Sequence, residues 1–125
     1  MEPSKEKIEE LKALYPQREL LLVESFAKDE AGEETVMHFV MTAPERGEYK
    51  IFVEQFLKAS EKGSESEKIW AKRSVIENAA LSQIRWPSRE ECMEAFRKRP
   101  AMVDGFLKEI QKAAGEQLEF RSKKL

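Results

Sequence analysis

The sequence predicts an α+β fold, a single domain in which an N-terminal β-hairpin packs with four or five α-helices. Three observations predict it. Two strand-like runs near the N-terminus flank a turn-forming segment. Apolar residues then recur at spacings of three and four over most of residues 45–114. Tetrads of the form Ser/Thr-x-x-Glu stand where those helical runs begin. A chain of 125 residues is long enough for one core and short for two. We therefore assign residues 1–115 to the domain and 116–125 to a C-terminal tail.

Taken in order, Ser4 caps a short helix running to about Leu14, with Ile8, Leu11 and Leu14 or Tyr15 on one face, and Pro16 ends it. Arg18 to Phe26 reads as a strand. The acidic segment Lys28-Asp29-Glu30-Ala31-Gly32 turns the chain into a second strand, Thr35 to Met41, whose two faces are both apolar enough to need cover. Thr42-Ala43-Pro44-Glu45 fits a capping box with Thr42 as the cap, and the helix after it carries Tyr49, Phe52, Val53, Phe56 and Leu57 before ending near Ser60–Gly63.

Ser64-Glu65-Ser66-Glu67 opens a central helix with Ile69, Trp70, Arg73, Ile76, Ala80 and Ile84 on one side, so Trp70 is expected in the core. Trp86-Pro87 interrupts it and reads as a connector. Ser88-Arg89-Glu90-Glu91 opens a short helix with Cys92, Met93 and Phe96. The last helix shows the cleanest stripe, Met102, Val103, Phe106, Leu107, Ile110 and Ala114, closed by Gly115 at its C-terminal cap. The tail alternates weakly from Gln117 to Ser122, which suits a loose end or an extra strand on the hairpin.

Several function classes find little support. Lys and Arg total 22 against 24 Asp and Glu, a balance without the positive excess that neutralises many phosphates, so no nucleic-acid partner is expected. No apolar run approaches the roughly 20 residues of a membrane span, and Met1–Lys5 carries no signal-like hydrophobic region, so no membrane association and a cytoplasmic location are expected. Cys92 is the single cysteine and His38 the single histidine, which excludes an intramolecular disulfide and any site built on two imidazoles. We expect no metal site, no cofactor and no catalytic residues. Five scattered glycines build no phosphate loop, and adjacent carboxylates such as Glu90-Glu91 diverge on a helix.

What remains is protein binding. Trp86, Phe96, Met102 and Phe106 are the candidate contacts for a groove that takes a partner helix, although side chains of this kind more often belong to a core.

From Phe39 to Gly115 the order of features resembles the small tail assembly chaperones of long-tailed bacteriophages and prophages. Phe39-Val40-Met41-Thr42-Ala43-Pro44 with Glu48-Tyr49 and Phe52 is similar to that family's strand, proline and aromatic helix start. Ala71-Lys72-Arg73-Ser74-Val75-Ile76 leading to Trp86-Pro87 is similar to its central helix and closing proline. Arg99-Pro100-Ala101-Met102-Val103, then Ile110 and Ala114-Gly115, is similar to its last helix. The first 30 residues take no part. The resemblance implies a non-enzymatic protein of a bacterial or phage-infected cell that coats the helical tape-measure protein, keeps it soluble, helps recruit tail-tube subunits and tends to self-associate. An adaptor or regulatory module with an unrelated protein partner is the alternative.

Overall fold

The computed structural model describes residues 1–115 and 122–124. The chain order is α1 (Lys5–Leu14), β1 (Leu20–Lys28), β2 (Glu34–Thr42), α2 (Arg46–Ala59), α3 (Glu65–Gln83), β3 (Ile84–Trp86), α4 (Arg89–Lys98) and α5 (Met102–Ala113). The fold is α+β: among the described residues, a three-stranded antiparallel sheet with five helices. The expectation for the tail falls mostly on residues outside the described ones.

The caps explain most of the helix starts. Ser4, Ser64 and Ser88 each accept a hydrogen bond from the backbone N–H three residues on, at Lys7, Glu67 and Glu91. Thr42 does not cap α2. Glu45 is the cap residue, and its N–H donates to the Glu48 carboxylate at 2.9 Å. Thr42 instead ends β2, fully buried, with its hydroxyl 2.7 Å from Gln83 Oε1, because a sheet terminus inside the core needs that polar group satisfied there.

β1 and β2 pair over their whole length, from Leu20 opposite Thr42 to Lys28 opposite Glu34. The turn between them is held by Asp29, whose backbone bonds to Glu33 and Gly32 and whose carboxylate accepts the Glu33 N–H at 2.9 Å. Gly32 has φ +82°, a left-handed conformation that favours glycine. β2 is the central strand. The segment read as a connector before Pro87 is a third strand, with Trp86 opposite Val40 and Ile84 opposite Met41. Arg85 is the extra residue of the bulge between them. It points its guanidinium over the Tyr15 ring at 4.5 Å and donates from Nε to Thr42 Oγ1 at 3.2 Å.

Alternation along β2 separates two faces. Phe39 and Met41 point into the main core, where they meet Phe52 of α2, Ile76 and Ala80 of α3, Cys92 and Phe96 of α4, and Val103, Phe106 and Ile110 of α5. Phe39 stands edge-on to Phe106 with centroids 5.1 Å apart, and Phe96 meets Phe106 at 5.7 Å. Val40 and His38 lie on the opposite face, buried outside that core, as is Leu11 of α1. Glu2 beside His38 at 3.7 Å and Tyr15 under Arg85 bracket this second, thinner layer.

The central helix departs from its expected burial at one end. Trp70 is 58% exposed and Ile69 50% exposed, so neither is a core residue. At 19 residues, or roughly 28 Å, α3 is longer than α2 and α5, and its buried residues, Ile76, Ala80, Leu81 and Gln83, all lie in its second half. Trp70 instead stacks with its own neighbour Arg73, 5.0 Å from the ring, and Arg73 holds Asp104 of α5 with two bonds of 3.0 Å. In α2, Phe52 alone is fully buried, and Leu57 is 57% exposed.

Candidate interaction surface

The helices do not cover the whole inner face of the hairpin. Leu21, Val23 and Met37 pack against the core, but Ser25, Ala27 and Thr35 lie further out, where the strands run past the helical layer. There α4 forms the opposite wall of an open groove of about 620 Å³. Its floor is Ala27, Val36 and Met37 from the hairpin, Ala95 from α4 and Met102 from the start of α5. Beside Phe26, which is 59% exposed, it runs into a recess of about 350 Å³ that shares Ser25, Ala27, Arg99 and Met102.

The residues picked from sequence do not share one surface. Phe96 is 3% exposed and Phe106 2% exposed, both inside the aromatic cluster around Phe39, so they hold the core and present nothing to a partner. Trp86, half-buried, pairs with Val40 and belongs to the face under α1, away from the groove. Met102 alone of the four lines it. The groove residues that sequence reasoning passed over, Ala27, Val36, Met37 and Ala95, carry no distinctive signal, since small and apolar residues at strand and helix positions read as ordinary core.

The groove wall is charged. Glu90 and Glu91 line it from the first turn of α4, and among the described residues neither has a cation within ion-pair distance. Glu94, one turn on, is taken up by Arg97 at 2.6 Å and Lys98 at 3.8 Å, and the Arg97 hydrogen bonds hold its carboxyl below the usual range. The same wall carries Lys98 and Arg99 at the far end of α4, so the charges lining the groove nearly balance.

The other polar cluster is structural in its bonding. Arg18 Nη2 lies 2.7 Å from Ala43 O, 2.7 Å from Glu48 Oε1 and 2.9 Å from Gln83 Oε1, joining the chain before β1 to the β2–α2 junction and the end of α3. Burial alone would raise the Glu48 carboxyl, but hydrogen bonds from the Glu45 N–H, Gln83 and Arg18, with the Arg18 charge, bring it below its ordinary value.

Burial beside the Glu91 charge pushes the Cys92 thiol up to about 11, which leaves almost no thiolate near neutral pH. Native protein should therefore react with a thiol-specific disulfide reagent at least about a hundredfold more slowly than the same chain in denaturant. Equal rates in the two states would show that α4 opens readily. Among the described residues no group of His, Cys, Asp and Glu stands close enough to hold a metal ion, and no helix is long and apolar enough to cross a membrane.

The chain matches no protein-family model, no curated protein and no solved structure. The groove and its chemistry are thus the ground for a functional reading, together with the order of motifs from Phe39 to Gly115.

Proposed function

We propose that this domain is a non-catalytic, tail-assembly-chaperone-like protein of a bacterial or phage-infected cell. It binds the apolar stripe of a long helical tape-measure protein, keeps that protein soluble, and helps bring tail-tube subunits to it. The observation that supports this reading most is the open groove floored by Met37, Ala95 and Met102, an apolar surface that the chain's own described helices leave uncovered. A groove between a sheet and a helix receives a partner helix as the next member of its own layer. The motif order resembling the phage chaperones supplies the identity of that helix.

Co-expression with a tape-measure protein and tail-tube subunits tests this. The tagged domain should retain the tape-measure protein and move it into the soluble fraction. Filling the groove with Ala27→Trp or Ala95→Trp, which add bulk without removing a core contact, should weaken retention about tenfold or more while far-UV circular dichroism stays unchanged. Failure to retain any tape-measure protein would leave the same groove to an unrelated protein partner, and the domain would be an adaptor.

A further inference from the structure

We infer that the domain forms a two-fold dimer through β1, whose free edge takes the β1 of a second copy. The inference does not rest on the groove. In the sheet order β1, β2, β3 the first strand lies at an edge, and among the described residues no strand pairs with its outer side. At the two ends of the β1–β2 ladder, which has no register shift, Glu19 O accepts the Ala43 N–H and the Asp29 N–H donates to Glu33 O. The odd-numbered residues of β1 therefore carry the bonds to β2, and Leu22, Glu24, Phe26 and Lys28 turn their N–H and C=O groups to the free edge.

Sheet edges are commonly guarded by a bulge, a proline or a charge. β1 has neither bulge nor proline, and its charges are Glu24 and Lys28. They share an exposed face with Leu22 and Phe26, the latter 59% exposed. His38 and Glu34 stand opposite them on β2, yet neither Glu24 nor Lys28 forms an ion pair among the described residues. The pattern is self-complementary in one register. With the two-fold axis at Phe26, the two rings meet, and Glu24 of each copy stands opposite Lys28 of the other, a pair made twice. The other registers that match outward-facing groups and overlap by at least five strand residues are centred on Leu22, Val23, Glu24 or Ser25. They set Glu24 against Leu20, Leu22, a second Glu24 or Phe26, so the charges that guard the edge elsewhere select this alignment. The helices leave room for it. Beside Ser25, Phe26 and Ala27 the recess of about 350 Å³ is lined by Ala101 and Gly105, and a Cβ added at Gly105 would meet nothing within 4 Å.

Sedimentation velocity of the intact protein at about 100 µM should show a dimer that dissociates on dilution. Glu24→Lys and Lys28→Glu each turn two attractive pairs into two repulsive ones, and each should weaken dimerisation about tenfold or more. Glu24→Lys combined with Lys28→Glu restores opposite signs and should return the affinity to within about threefold of the wild type. Far-UV circular dichroism checks the fold of each variant. A second measurement needs no variant: in a mixture of unlabelled and isotope-labelled wild type, zero-length carbodiimide coupling should join Glu24 of one copy to Lys28 of the other.

A monomer at the higher concentration, folded single variants that dimerise as the wild type does, a folded double variant no tighter than the singles, or the absence of that mixed link would each overturn the inference. Its failure is distinct from that of the chaperone reading. A dimer that retains no tape-measure protein overturns the latter alone, and a monomer that retains it overturns only the dimer.

Discussion

Replacing Phe39 by alanine should lower the stability of the domain by about 3–5 kcal/mol, the largest effect expected of any single substitution here. The ring is fully buried at the centre of β2, edge-on to Phe106 and stacked near Phe96, so α4 and α5 both rest on it. Truncation removes its transfer free energy and leaves a cavity between the sheet and two helices that can close only part of it. Against a total stability of about 5–15 kcal/mol, such a loss takes a large share. Urea unfolding followed by circular dichroism reads it directly. Phe39→Leu, which keeps most of the volume, should cost under about 1.5 kcal/mol. A small loss for alanine would mean that the helices close onto the sheet without the aromatic cluster.

Arg18→Met is the second large effect, at about 3 kcal/mol. The guanidinium serves the Ala43 carbonyl, the Glu48 carboxylate and the Gln83 amide at once, and methionine keeps the aliphatic stem while leaving all three without that donor. The Thr42–Gln83 bond loses its neighbour as well. The pH dependence separates this from simple packing. Because the folded-state pKa of Glu48 lies below its unfolded value near 4.5, its contribution is fully present above that pH and is lost as pH falls through the lower folded value. The wild type should thus lose stability on acidification below about pH 4.5, and Arg18→Met should lose less over the same window. Parallel acid profiles would assign Arg18 a packing role only.

Much of the scaffold was legible because it is written locally. Ser4, Ser64 and Ser88 announce their helices through a side chain that reaches three residues along. The hairpin follows from two runs and an Asp-to-Gly turn, and the stripe from Met102 to Ile110 buries Val103, Phe106 and Ile110 as its period requires. The failures share a cause, which is dependence on distant partners. Ile84–Trp86 is too short to show a period, and becomes a strand only because β2 offers an open edge. Thr42 looks like a cap until Gln83, over forty residues away, claims its hydroxyl. Trp70 has the spacing of a core residue but sits in the first half of α3, ahead of the stretch from Ile76 onward that is buried. The groove was the least legible of all. Its floor is defined by where the helices stop, and no residue within it differs in kind from a core residue.

The late arrival of β3 bears on how the domain is made. The hairpin is synthesised before α2–α5, but Phe39 and Met41, fully buried in the finished fold, find their cover only in those helices, and its second edge is paired only once the chain has passed Trp86. A ribosome-bound chain that has not reached that point carries an aromatic sheet face open to water and to other nascent chains. The core is thus complete only after α5 has been made, and a chain interrupted before that point leaves the aromatic face of the sheet exposed in place of forming a smaller domain.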